Sequence, residues 1–343
     1  MDILGNIKDF LVKKGGAKSI PTLNVCMMGP RAVGKTTVMT SIFHESQSSI
    51  CNGSSIYLRA CDTNTSSLND YYLRLVDAVA KQDAANLPAS NTVSEFLFGL
   101  GLAGRAESVR IKIRDFPGEY LTSPRKEDRD DVYGFMSAAT VILIAVDTPY
   151  LMEEDGRYNE EKNKTAIVTH YLKDNADAVR DKLVLFVPLK CERYMHDGRL
   201  DEVSRKTRDA YATLVDFFND NNIASFVTPI ITLGGIEFDH FSDNRLMGDT
   251  AKVAVFRPWA KCPEYKPLFC PQPLYYLLTY VANYYEWQKK QKKGFFDNLM
   301  DSLFSLLKDD DRFLEEMRKI TRFVIYNQNG FIPVTTNSIL KIN

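Results

Sequence analysis

Eight residues constrain this chain more than any other stretch: Gly29-Pro30-Arg31-Ala32-Val33-Gly34-Lys35-Thr36. They match G-x-x-x-x-G-K-[ST] at every fixed position. Glycines at those two places let the backbone curl until several N–H groups converge on one anion. A helix beginning after Gly34 adds its positive N-terminal end to the same spot. Lys35 is then a point charge for the β- and γ-phosphates, and the Thr36 hydroxyl a ligand for Mg²⁺. Pro30, Arg31, Ala32, Val33 and Thr37 complete the expected wall around the phosphates. With Gly near 7% of residues, an accidental match in a chain of this size is roughly a one-in-a-hundred event. Context lowers that figure: Thr22 to Met28 reads as a buried strand, and a helical pattern follows.

The rest of the chain fits a globular protein built around such a loop. Hydrophobic residues make up 45% and charged residues 25% of the 343, so disorder is not the answer. The net charge of −1 asks for no nucleic-acid backbone as partner. Met1 to Lys14 lacks the continuous apolar core of a secretory signal. The six cysteines show no C-x-x-C pair and read as reduced thiols, which points to the cytoplasm.

Strand and helix patterns alternate after the loop. Ser67 to Gln82 reads as a helix, and Glu95 to Leu102 and Ser108 to Arg114 as strands around a Gly104 turn. In the second of these Val109, Ile111 and Ile113 alternate with Arg110, Lys112 and Arg114, so it has one wet face or lies near an edge. Ala139 to Val146 is a continuous apolar run, as a central parallel strand requires. Lys182 to Val187 and Phe226 to Thr232 read as two more strands. Helices are predicted over Lys164 to Tyr171, Glu202 to Asn219 and Leu274 to Trp287. The expected class is α/β: a mostly parallel sheet flanked by helices, with a helical C-terminal extension. The expected divisions are an amphipathic helix over residues 1–19, a nucleotide domain over 20–287, and an extension over 288–343 ending in a hairpin around Asn327 to Gly330.

Two further motifs refine the chemistry. The strand ending at Arg114 runs into Asp115-Phe116-Pro117-Gly118, a D-x-x-G element. There Asp115 is expected to hold Mg²⁺ through water and the Gly118 N–H to sense the γ-phosphate, the glycine letting the loop move afterwards. After the strand LVLFV comes Pro188-Leu189-Lys190-Cys191-Glu192, a loose match to [NT]-K-x-D. The Glu192 carboxylate would accept from the guanine ring N–H and exocyclic amine, which adenine cannot supply. Leu189 removes a polar tie to the phosphate loop that Asn or Thr would make.

The order GPRAVGKTT, IKIRDFPGEYL, ATVILIAVDTP, VLFVPLKCERY and TPIITLGGIEF resembles the translation-factor- and Ras-like GTPases. In detail, and with YKPLFCPQPLYYLL included, the chain is similar to the bacterial double-GTPase family over roughly residues 20–287. That name comes from fused pairs, and here one phosphate loop is visible. The resemblance implies a P-loop fold of the G-domain type, GTP/GDP and Mg²⁺ as ligands, and a switch within a bacterial multi-protein conflict or defence system. By position it implies a switch threonine at Thr92, ligating Mg²⁺ and serving catalysis, and a water-facing role for Glu119 where Ras-like proteins have Gln. With that Gln replaced and no arginine assignable in cis, slow intrinsic hydrolysis awaiting a partner is expected. The alternatives are an ATP-dependent ATPase or kinase, and a catalytically weak nucleotide-binding assembly subunit.

The amphipathic ends bear on partners. Ile3, Leu4, Ile7, Phe10 and Leu11 form one apolar stripe, and Phe296, Leu299, Met300, Leu303, Phe304 and Leu307 another. Such stripes are core or interface far more often than membrane anchors. Contact with the core, with other protein subunits or with a second copy of the chain is expected ahead of peripheral membrane contact through Lys289 to Lys293.

Overall fold

The central parallel strand expected at Ala139 to Val146 sits in the middle of the sheet, and everything else is ordered around it. The computed structural model describes residues 20–47, 49–82, 93–243, 252–291 and 298–335. The helix expected over residues 1–19, Thr92, Lys292, Lys293 and Phe296 lie outside them. The strands are β1 (Thr22–Gly29), β2 (Ile56–Ala60), β3 (Ser94–Leu102), β4 (Glu107–Pro117), β5 (Val141–Asp147), β6 (Leu183–Leu189), β7 (Ala224–Val227), β8 (Ile236–Asp243), β9 (Lys252–Pro258) and β10 (Ile332–Pro333). Eight form one sheet in the order β10-β7-β6-β5-β1-β4-β3-β2, and β8 and β9 form a separate ribbon. Neighbours from β4 through β1, β5 and β6 to β7 are parallel; β2, β3 and β10 join antiparallel.

The helices are α1 (Lys35–Ser46), α2 (Asp62–Ala80), α3 (Lys126–Ser137), α4 (Thr148–Met152), α5 (Asn159–Asn163), α6 (Thr165–Asp174), α7 (Glu192–His196), α8 (Leu200–Ala210), α9 (Ala212–Asp220), α10 (Gln272–Gln291), α11 (Asn298–Asp309) and α12 (Asp311–Ile320). They cover both faces of the sheet. Along β1 the side chains alternate between two cores. Leu23, Val25 and Met27 meet α1, α10 and α12 on one face. Cys26 and Met28 meet α3, α6 and α9 on the other.

Several details depart from the sequence pattern for physical reasons. The alternation in β4 marks a wet face, not an edge, because β4 is hydrogen-bonded on both sides. On that face Lys112 pairs with Glu95 at 2.9 Å and Arg114 with Asp131 at 2.8 Å. The helix expected over Glu202 to Asn219 is two, broken at the buried Tyr211. Residues 236–270 contain the β8–β9 ribbon, which no clean alternation announces because most of it is half-exposed. The C-terminal segment shares the main core: Leu303, Leu307, Phe313 and Phe331 are all buried there. The apolar face of α11 is therefore used, at Leu303 and Leu307, within the chain itself.

Strand register sets the site. Gly29 lies opposite Pro117 across β1 and β4, so the phosphate loop and the D-x-x-G turn leave the sheet side by side. Asp147 lies opposite Leu189 across β5 and β6, which brings the end of β5 against the Lys190 loop. Ligands in open parallel sheets collect outside these carboxyl ends.

Candidate nucleotide site

The phosphate loop folds around its own lysine. Lys35 Nζ donates to the carbonyls of Gly29 and Pro30, both at 2.9 Å, so the backbone curls about the ammonium. Only glycine fits at position 29: its φ is +152°, and a Cβ there would lie 2.7 Å from the Ala145 carbonyl oxygen. Gly34 adopts φ +110° just before α1 begins, and the first N–H groups of a helix have no partners within it. Val33 is buried, and Arg31 and Ala32 are exposed at the lip.

Asp115 reaches the same point from β4. Its Oδ1 lies 3.3 Å from Lys35 Nζ, and both side chains are buried. Burial pushes the Asp115 carboxyl up from its ordinary pKa, and the Lys35 ammonium pulls it back. Burial likewise lowers Lys35, opposed by Asp115 and Glu119. Apart from the Lys35 ammonium, Oδ1 takes no hydrogen bond among the described residues. The Asp115 carboxylate and the Thr36 hydroxyl line the same cavity, and hard oxygens of this kind suit Mg²⁺. Thr36 and Asp115 thus fit the metal that the sequence implies. Gly118 stands against the loop, where a Cβ would lie 3.5 Å from the Gly29 carbonyl oxygen. Glu119 is exposed in the turn that follows. Arg125 pairs with Asp128 at 2.7 Å and not with Glu119.

The base end is assembled from distant segments. Glu192, at the start of α7, is buried, and its Oε1 accepts from Thr232 N at 2.7 Å, Thr232 Oγ1 at 2.9 Å and Leu233 N at 2.7 Å. Glutamate's extra methylene, relative to the usual aspartate, lets it reach that loop. One carboxylate oxygen, Oε1, is thus committed to holding Thr232 and Leu233. Lys190, in a left-handed conformation at φ +61°, pairs with the buried Asp147 at 2.7 Å. Its Nζ lies 5.5 Å from the centre of the Phe256 ring in β9. Leu189 makes no polar tie to the phosphate loop; its Cδ1 lies 3.9 Å from where a Gly34 Cβ would be, so apolar contact takes that place.

Both ends open into one cavity of about 280 Å³, lined by Lys35, Thr36, Asp115, Asp147, Lys190 and Glu192 among others. Arg31, Ala32, Val33, Gly34 and Thr37 also line it, so the structure brings most of the expected residues together. Gly29, Pro30, Gly118 and Glu119 line a second hollow on the other side of the loop. Sequence reasoning missed Tyr71, Asp147, Lys162, Thr232 and the ribbon residues Val253, Ala254 and Phe256. Asp147 and Thr232 stand inside segments that carried the family resemblance, so a signal existed. The ribbon and Lys162 had none.

A sequence profile described as Double-GTPase 2 matches residues 24–227, more than half of the chain. No curated protein matches the sequence significantly. Among solved structures, the FeoB G-domain from Methanococcus jannaschii is 11% identical, with a TM-score of 0.28 over 62% of this chain and 87% of that one. The S. cerevisiae Ski7 GTPase-like domain, bound to GDP and inorganic phosphate, is 13% identical, with a TM-score of 0.38 over 76% and 50%. A variant of Aquifex aeolicus Era bound to GDP·AlF4⁻ is 15% identical, with a TM-score of 0.28 over 77% and 68%. Among the described residues no helix is long and apolar enough to cross a membrane.

Proposed function

The chain belongs to the Double-GTPase 2 family, and from that premise we propose a guanine-nucleotide switch that hydrolyses GTP with Mg²⁺. The observation that carries this reading is the single cavity joining Lys35, Thr36 and Asp115 to Lys190 and Glu192. Phosphate chemistry and base chemistry thereby face one ligand.

The residues divide the work. Lys35 and the loop N–H groups hold the phosphates, and Gly29 and Gly34 keep that loop in the shape the anion needs. Thr36 and Asp115 would hold Mg²⁺, with Thr92 as the further ligand. Mg²⁺, when bound, draws negative charge off the β- and γ-phosphate oxygens. Gly118 reports on the γ-phosphate through its N–H, and Glu119 accepts a hydrogen bond from water at the rim. Glu192 Oε2 accepts from the guanine edge, and the Lys190 stem lies along the base. Loss of the γ-phosphate releases the Gly118 turn, which is the switch. The setting in a bacterial conflict or defence system, with other protein subunits or a second copy as partners, is supported by the resemblance alone.

Calorimetry of the full chain with GTP, GDP and ATP in Mg²⁺ tests the reading. Guanine nucleotides should bind about a hundredfold more tightly than ATP, because a site built to pair with donors rejects a base lacking them. Equal affinities would sink the guanine reading.

A further inference from the structure

We infer that Lys162 is a catalytic residue of the hydrolysis proposed above, a cation supplied in cis to the phosphate being transferred. The inference rests on the guanine-nucleotide reading and assigns one more residue to that site. Lys162 belongs to no motif. It stands on α5, in the segment joining β5 to α6. Its neighbour Asn163, 2% exposed, clamps that helix to the end of β5. Asn163 Oδ1 accepts from Asp147 N at 2.7 Å, and Nδ2 donates to Asp147 O at 3.1 Å and to Asn159 Oδ1 at 2.8 Å. β5 is also the strand against which Gly29 is pressed. Helix and phosphate loop are thus referenced to one rigid element.

From there Lys162 Nζ reaches over the loop and donates to the Arg31 carbonyl at 3.1 Å. It lies 5.3 Å from the centre of the Tyr150 ring. It lines both hollows beside the loop, the one with Lys35 and Asp115 and the one with Gly118 and Glu119. Burial lowers the pKa of this ammonium; Asp147 opposes that, while Lys190 and Lys35 add to it. Lys35 and Lys190 pair with Asp115 and Asp147, while Lys162 meets a backbone carbonyl at the lip of the loop. A preset cation of this kind gains most when the anion's charge shifts toward it in the transition state.

The step balances without any proton change on Lys162. A water oxygen forms a bond to the γ-phosphorus while the bond from that phosphorus to the β,γ-bridging oxygen breaks. The electron pair of the broken bond stays on GDP, and the water's hydrogens leave with the products, giving GDP and inorganic phosphate. Lys162 offsets the charge gathering on the bridging and γ-oxygens, the part an arginine finger plays elsewhere.

The test compares the full chain with Lys162→Ala, Lys162→Met and Lys162→Arg. It follows single-turnover GTP hydrolysis, capture of GDP with aluminium fluoride, and GDP affinity. The Ala and Met variants should hydrolyse about a hundredfold more slowly and lose aluminium fluoride capture, with GDP affinity changed less than about threefold. Arg should keep the rate within about tenfold of the parent, since it retains the charge. Parent hydrolysis should be independent of protein concentration. Unchanged hydrolysis and capture in Ala and Met would reduce Lys162 to a brace of the loop. So would a GDP affinity that falls in step with the rate. If Ala and Met fail to fold, an Arg variant that folds but captures no aluminium fluoride complex overturns the assignment, and one that captures it upholds it. A parent chain that binds GTP but hydrolyses it only with a second protein overturns the Lys162 assignment and spares the nucleotide reading. A parent chain that binds no guanine nucleotide overturns that reading itself.

Discussion

The phosphate end and the base end of the cavity are built on opposite plans. At the phosphate end eight consecutive residues, Gly29 to Thr36, carry their own solution: the lysine satisfies the loop's carbonyls, and the glycines supply the backbone angles. At the base end nothing is local. Glu192 is held by Thr232 and Leu233, Lys190 by Asp147, and Phe256 arrives on a ribbon that the main sheet does not include. A self-contained device survives as a short motif, whereas one made of distant contacts can trade Asp for Glu and Asn for Leu once other segments compensate.

Three substitutions probe that contrast. Lys35→Ala should cost most, lowering GTP hydrolysis by about 10³ or more while the chain stays folded, because the sheet does not depend on that ammonium. Rates and circular dichroism check it; a folded variant with parent activity would remove the phosphate end from the chemistry. Glu192→Gln should leave Oε1 to the Thr232 loop but put an amide N–H₂ where Oε2 stood. Guanine-over-adenine preference should fall about a hundredfold, with hydrolysis at saturating GTP affected far less. Retained preference in calorimetry would mean that the base is read elsewhere. Phe256→Ala should act least, weakening GTP binding about three- to tenfold through lost ring contact, with kcat unchanged. A loss as large as that of Glu192→Gln would make the ribbon a principal reader of the base.

The same contrast explains what could be read from sequence. The parallel sheet was legible because β5 is apolar from Val141 to Val146 and β4 alternates from Val109 to Arg114. The phosphate loop and D-x-x-G turn were legible because their chemistry needs fixed neighbours. The ribbon was not, because half-exposed strands carrying Asp239, His240 and Asp243 show no clean period. Lys162 was invisible for a different reason: its value comes from Asn163 binding the backbone of Asp147 across sixteen positions of sequence. A long helix read over Glu202 to Asn219 also failed, since a buried aromatic at Tyr211 can break a helix without any Gly or Pro to announce it.

The two-residue strand β10 has a bearing on assembly. A parallel sheet ending in β7 would offer a row of open hydrogen-bonding groups to any passing chain. Instead Ile332 and Pro333 pair antiparallel with Val227 and Phe226, and Val334 N donates to the Ser225 carbonyl at 2.8 Å. Pro333 has no N–H to offer a further strand, and among the described residues β10 spans only Ile332–Pro333. Growth of the sheet into a neighbouring molecule is discouraged at that margin. A partner meeting this edge would then do so through side chains on helices or loops, contacts that can be made and released without breaking a backbone ladder.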